Sequence, residues 1–376
     1  MRAHVEVLIV GGGPVGCALA VVLRELPIDV AVLEASTARE SDNRTLAVSY
    51  GSRLILDRLG VWKTLTEVAP IDTIHVSQQG DFGRTLLTAA EARVPTLGYT
   101  LGYAELKTQL QRAAVEKGAA LIEGARATAF DATPRTGVVR VAYQGSTHVM
   151  TADLVAIADG AAAGFGMRER DYAQHAITAN VQAQVAPRGV AYERFTVEGP
   201  VALLPRREDW ALIWTCGVSG AEPLRGLDDQ AFLARLHARF GDRLGKFIHA
   251  GPRASFPLRL RYAAPSQARR TVLLGAAAQA LHPVAAQGFN LGLRDAFELA
   301  AEIASRDRAE IGAPETLSSY RRRRAIDRGA GVAFTDSLVR LFSNDFFRFA
   351  RGLGLTALDS LPPVKRAFMQ YTIFGF

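Results

Sequence analysis

The chain has 376 residues, 49% of them hydrophobic and 22% charged, enough to bury a large core across two domains. Its formal net charge of +7 is spread thinly along the sequence, which speaks against a nucleic-acid partner. Cys17 and Cys216 are too few for a disulfide framework and are not spaced as metal ligands, no apolar run is long enough to span a bilayer, and the first strand begins almost at once, so the sequence predicts a cytoplasmic protein without a leader.

The chain opens on the apolar strand Val5-Glu6-Val7-Leu8-Ile9-Val10, followed by the turn Gly11-Gly12-Gly13-Pro14-Val15-Gly16. A helical run then extends to Leu26, and a second strand, Val30-Ala31-Val32-Leu33, ends at Glu34. This is a β-α-β unit. Apolar spacing predicts helices over residues 47–59 and 105–115, and strands over 138–144 and 148–158, the latter closing on Asp159-Gly160. Residues 172–262 change character, with strand-like runs at 177–183, 199–204 and 210–215. A buried strand at 270–275 then leads through a loop to a helix opening near Asn290. From about 329 the chain reads as helical, apolar and basic, with Phe342, Phe346, Phe347 and Phe349 close together.

The expected fold is α/β: a discontinuous Rossmann-like domain (residues 1–75, 97–171 and 263–328), a β-sheet substrate domain of α+β type (76–96 and 172–262), and a C-terminal helical segment (329–376). Arg321 to Arg324 read either as the solvated face of a helix or as a contact for an anionic surface.

In Gly11-x-Gly13-x-x-Gly16 the first glycine permits a tight turn, the second lets backbone approach a pyrophosphate, and the third lets helix pack on strand. Pro14 suits the first helical turn because its missing N–H leaves no donor unsatisfied. Glu34 stands where it can accept from a ribose hydroxyl. FAD and NAD share this fingerprint. The segment from Gly275 and Ala276 to Asp295 separates them, since its small residues let backbone lie against a flat ring. Within it, Gly288 and Asn290 open a helix whose N-terminus favours negative charge.

On these motifs, and on Asp42-x-Arg44, Leu46-Ala47-Val48-Ser49-Tyr50-Gly51-Ser52, Glu193-Arg194-Phe195-Thr196, Tyr320-x-x-Arg323-Arg324 and Thr335-Asp336-Ser337, the chain resembles the class A FAD-dependent aromatic monooxygenases. Within these it is most similar to the ubiquinone-biosynthesis hydroxylases of the 2-octaprenyl-6-methoxyphenol type. The resemblance implies that Gly11, Gly13, Gly16 and Glu34 bind the ADP half of FAD, with Arg44 near the phosphates. Asp159 and Gly160 would form a motif shared by FAD and nicotinamide binding, and His282, Pro283, Gln287, Gly288, Asn290 and Gly292 would line the isoalloxazine. It further implies that NADPH or NADH visits as a transient reductant, and that O2 adds to give a flavin hydroperoxide whose terminal oxygen passes to a polyprenylated phenol. Subunits of a ubiquinone-biosynthesis complex and peripheral contact with the inner face of the membrane would be its partners.

The sequence departs from the family at Ala276, where an aspartate usually bonds the ribityl chain, and at Ala286, where a glycine is usual. Tyr103 stands where a polar or basic contact is common, and Ala161-Ala162-Ala163 replaces a more polar run. His282 is either a general base towards a phenol or a neutral residue holding the flavin loop. Glu193-Arg194-Phe195 either faces substrate or stiffens a strand, and Trp210 and Trp214 share one strand face as packing or as substrate contacts. Arg340, Arg348, Arg351, Lys365 and Arg366, interleaved with apolar residues, read as an interfacial helix or as one packed on its own domain. A dehydrogenase or prenyl reductase of the same fold, and a non-catalytic flavoprotein subunit, are the competing functions.

Overall fold

The computed structural model describes residues 2–37, 42–159, 165–263, 269–284, 286–342 and 348–375. Gly160, Ala161 to Ala163, Phe346 and Phe347 therefore lie outside the described residues, as does the Arg348 side chain.

Val30–Glu34, His4–Val10 and the end of Ser146–Ile157 lie side by side as parallel strands, flanked by Ala120–Glu123 and Thr271–Leu273. The hairpin Arg126–Ala132 and Gly137–Tyr143 adds an antiparallel wing to the start of Ser146–Ile157. The central strands are rich in Val, Ile and Leu because both faces are covered, as a parallel sheet requires. Val7, Ile9, Val32 and Leu154 pack on one side, and Leu8, Val10, Leu33 and Val155 on the other. The helix Pro14–Leu23 is buried along nearly its whole length, which explains its lack of any charged residue.

The second layer is a nine-stranded sheet in which Met167–Ala183, Asp209–Gly217, Gly199–Arg206, Val190–Thr196, Thr73–Gln78 and Arg84–Thr88 are successive neighbours. Thr73–Gln78 and Arg84–Thr88 come from the first third of the chain, so the sheet is assembled from two distant segments. One face packs on the helix Asp229–Phe240, and there Trp210 and Trp214 sit in a core with Phe232 and Leu236. The two tryptophans are packing residues.

Three local expectations change. Residues 45–49 form a strand, Thr45–Ser49, paired with Gly98–Gly102, so the helix there begins only at Tyr50. Gly98 allows this pairing, because a Cβ on it would stand 2.4 Å from the Val48 carbonyl oxygen. The helical region expected from about 329 opens inside a longer helix, Pro314–Phe342, which begins 15 residues earlier. Within that helix Arg324 is buried rather than solvated, bonding Asp295 at 2.7 Å and Asp327 at 2.6 Å. The helices Arg348–Ser360 and Pro362–Phe374 follow and fold back over the molecule.

Candidate active site

Gly11 has φ +110, a conformation that favours glycine, and a Cβ on it would stand 2.7 Å from the Asp159 backbone. A Cβ on Gly16 would lie 2.0 Å from the Gly11 carbonyl oxygen, so helix and turn can close only without one. A Cβ on Gly13 would meet nothing nearer than the Tyr103 hydroxyl at 3.5 Å, which leaves its backbone facing open space. That space is a cleft of about 710 Å³, lined by Gly11, Gly13, Glu34, Tyr103, Lys107 and Asp159. Pro14 starts the helix behind it, and no side chain caps that helix or places an acid in its first turn. Its free N–H groups and positive dipole end therefore face the cleft with no side-chain cap among the described residues.

Glu34 receives the Ser36 N–H at 2.9 Å and pairs with Lys107 at 3.5 Å. Lys107 follows Tyr103 by four residues on the helix Tyr103–Glu116, so one helical face delivers both to the cleft. Arg44 is held by Asp42 through a forked pair and lies 4.4 Å over the Tyr103 ring. Asp42 raises the Arg44 pKa further, and burial raises that of Tyr103.

The returning segment meets the first helix directly. Gly275, at φ +53, lies so close to Val15 that a Cβ would come within 3.2 Å of it, and a Cβ on Gly292 would meet both Val15 and Gly275 at 2.9 Å. Ala276 beside it is exposed. The Gly275 N–H and the Gln279 amide both donate to Asp295, at 3.1 and 3.0 Å. Arg324 and Arg328 neutralise that buried carboxylate and hold its pKa below the ordinary range. The helix Gln287–Ala304 then begins with no side-chain cap and no acid in its first turn. Its N-cap, Ala286, sits at φ +50, which explains why glycine suits this position. A Cβ on Gly288 would meet nothing within 4 Å.

Beside this helix end lies an apolar cavity of about 300 Å³. Pro283, Gln287 and Asn290 form one wall, Val76 and Ala202 of the large sheet a second, and Leu355, Met369 and other residues of the C-terminal helices a roof. Among its described lining residues Glu193 is the only one of charged type. Part of this side chain is open to the cavity, while Oε1 is sealed from solvent without a hydrogen-bond partner, and burial pushes the carboxyl up to about 8.

His282 takes a different place from Pro283. It lines a separate small void with Gln174, Val284 and Val339, and its ring meets Tyr172 edge-on at 5.6 Å. Its Nδ1 accepts the Val284 N–H at 3.1 Å, so a neutral ring carries its proton on Nε2, and burial pushes the pKa down to about 4. That nitrogen can donate but has no lone pair with which to take a proton.

The FAD binding domain profile matches residues 4–332. The chain belongs to this FAD-binding family. It is 37% identical over 386 residues to ubiquinone hydroxylase UbiL of Rhodospirillum rubrum, covering 98% of this chain and 89% of the relative. It is 30% identical over 389 residues to 3-demethoxyubiquinol 3-hydroxylase of Escherichia coli, with 98% of each chain covered. Its fold is shared by p-nitrophenol 4-monooxygenase PnpA from Pseudomonas putida, at a TM-score of 0.80 and 18% identity, covering 100% of this chain and 99% of that one. An FAD-dependent oxidoreductase of the hydroxylase kind is therefore the class.

The residues fit the cofactor of an FAD-binding family. Two helix ends lack side-chain caps among the described residues, the glycine turn leaves backbone bare, and Gly275 and Gly292 bring the returning segment against the first helix. Lys107 is a cleft residue that sequence reasoning missed; its spacing from Tyr103 was the available signal.

Proposed function

We propose that this chain is an FAD-dependent monooxygenase that hydroxylates the ring of a polyprenylated phenol of the ubiquinone precursor type, with NADPH or NADH as reductant and O2 as oxygen source. The observation that carries this reading is the apolar cavity holding a single carboxyl, set directly against the uncapped end of the returning helix. The relatives named ubiquinone hydroxylase support the substrate class.

In this reading Gly11, Gly13, Pro14, Gly16, Glu34, Arg44 and Asp159 serve the ADP half of FAD. Gly275, Ala276, Pro283, Gln287, Gly288, Asn290 and Gly292 serve the ring. Bound FAD supplies hydride acceptance and oxygen activation, which no side chain here can provide. The protein's own part is positional. Apolar walls exclude water from the reacting ring, and the Gln287 end of its helix stabilises negative charge beside it. Asn290 ties that helix to the strand Thr45–Ser49 through the Ser49 N–H, at 2.9 Å.

A prenyl tail needs an apolar exit, and the helices roofing the cavity carry Phe349, Leu353 and Val364 exposed on their outer surface. Peripheral contact with a membrane through this surface belongs to the same proposal. The basic residues assist it less than their spacing suggests: Lys365 is buried between Glu91 and Asp359, and Arg351 is buried as well.

The experiment is NADPH and NADH consumption by the FAD-loaded protein with a short-chain prenylphenol, in air and without oxygen. Consumption matched by hydroxylated product and abolished without oxygen supports the proposal. Oxygen-independent turnover identifies a dehydrogenase or prenyl reductase instead. Protein that takes up no FAD on titration identifies a non-catalytic member.

A further inference from the structure

Glu193 lies on Val190–Thr196 with Val76 and Ala202 as its cross-strand partners, and Ala202 is paired in turn with Ile213. All four residues line the apolar cavity, so they form a single row across the floor of the sheet. Three members of the row are aliphatic, and the fourth is a carboxylic acid. An apolar residue would pack that position better, because burying a carboxyl without a hydrogen-bond partner is costly. The acid is therefore matched to something that enters the cavity.

Resting on the hydroxylase reading above, we infer that Glu193 is the catalytic residue that receives the substrate's phenolic hydroxyl and takes its proton. In that step the substrate O–H bond breaks and an O–H bond forms on Glu193. The electron pair stays on the phenol oxygen and enriches the ring carbons that accept the incoming oxygen atom. The proton returns to the product phenolate, so the residue is regenerated and no redox equivalent is consumed. Geometry separates Glu193 from the other candidate base. Glu193 is in the large cavity, whereas His282 lines a different void and, when neutral, holds its proton on Nε2 because Nδ1 accepts the Val284 N–H.

Few groups compete for control of this carboxyl. Tyr192 on the same strand is the only other residue of titratable type among the described lining residues, and its ring packs on the opposite face of the sheet against His75, Trp210 and Phe240. No charged or titratable side chain from the strands Thr73–Gln78, Gly199–Arg206 or Asp209–Gly217, from the returning segment, or from the C-terminal helices is among those lining residues. His75 and Arg194 alternate to the opposite face of the sheet. Desolvation alone accounts for the upward shift of Glu193 to about 8, well clear of a phenol's own ionisation near ~10.

The test uses the FAD-loaded full-length protein with 2-geranylphenol and its O-methyl ether. The wild type is expected to bind the phenol at least ~10-fold more tightly than the ether, a preference that changes across the pH where Glu193 ionises. Glu193→Gln is expected to erase the preference while leaving ether affinity unchanged. It should also lower kcat/KM on the phenol by roughly a hundredfold, the low end of general-base effects, and flatten the rise in kcat/KM between about pH 7 and 9 that ionisation near 8 gives the wild type. A wild type without phenol preference, or a variant that keeps the preference or the pH-dependent rise, overturns the assignment. The wild-type comparison decides the matter even if the variant does not fold. Preference present in the wild type and lost in the variant, with no oxygenated product from either, supports phenol recognition by Glu193 but overturns the hydroxylase reading and its proton-transfer step.

Discussion

Asn290 accepts the Ser49 backbone N–H on Oδ1 at 2.9 Å, joining positions 241 residues apart. Its Nδ2 donates to the carbonyls of Ala286 at 2.8 Å and Ala47 at 3.3 Å. One side chain thus fixes the start of the returning helix, the loop before it and the strand Thr45–Ser49. Those are the parts that must be in register for a flat ring to be gripped between them.

Asn290→Ala leaves the buried Ser49 N–H without a partner, which costs about 1–3 kcal/mol. Chemical denaturation should show that loss, and FAD titration should show weaker retention. An unchanged FAD affinity would remove Asn290 from the cofactor-holding set.

Ala286 adopts φ +50, where a Cβ is strained. Ala286→Gly is expected to raise stability by about 1 kcal/mol, since the left-handed conformation costs an L-residue about that much. The measurement is the urea midpoint of the variant against the wild type. A lower midpoint would mean that the added freedom of the unfolded chain outweighs the strain relieved.

His282 is only 2% exposed, and burial lowers its pKa to about 4, against ~6.5 when unfolded. The unfolded chain therefore binds the proton more readily, so this contribution is complete above about pH 6.5 and is lost progressively as pH falls towards 4. Between pH 7.5 and 5 the wild type should lose about 2 kcal/mol more stability than His282→Gln. Equal losses would show that the ring does not stay neutral in the folded protein.

Phe349, Leu353 and Val364 are 65%, 50% and 54% exposed on the helices that roof the cavity. Replacing all three by serine should abolish flotation with anionic liposomes at moderate salt, while the variant stays folded despite losing the Phe82–Phe349 ring contact. Equal and poor flotation of both proteins would end the proposal of membrane contact.

The glycine turn, its flanking strands and the acid at Glu34 were legible because their information is local: a short motif whose spacing dictates one backbone path. The returning segment was legible for the same reason, through its small residues. Ion-pair geometry was not. Arg324 read as solvated or as an anionic-surface contact, with no sign of burial, because its partner Asp295 lies 29 residues away; Lys365 was left between an interfacial and a packed place because Glu91 lies 274 residues away. Glu193 could be read either way, since a single strand does not reveal which face opens on a cavity. The short strand Thr45–Ser49 was masked by apolar spacing that merges with that of the helix after it.

On the proposed function, FAD held by this chain places one atom of O2 on the ring of an apolar phenol. The most direct test is mass spectrometry of the product from 2-geranylphenol under isotopically heavy dioxygen, with FAD-loaded protein and NADPH or NADH. The expected product is heavier by a single labelled oxygen on the ring. A flavin that is reduced and reoxidised while the phenol is recovered without label, across the whole pH range in which the protein is folded, would contradict it.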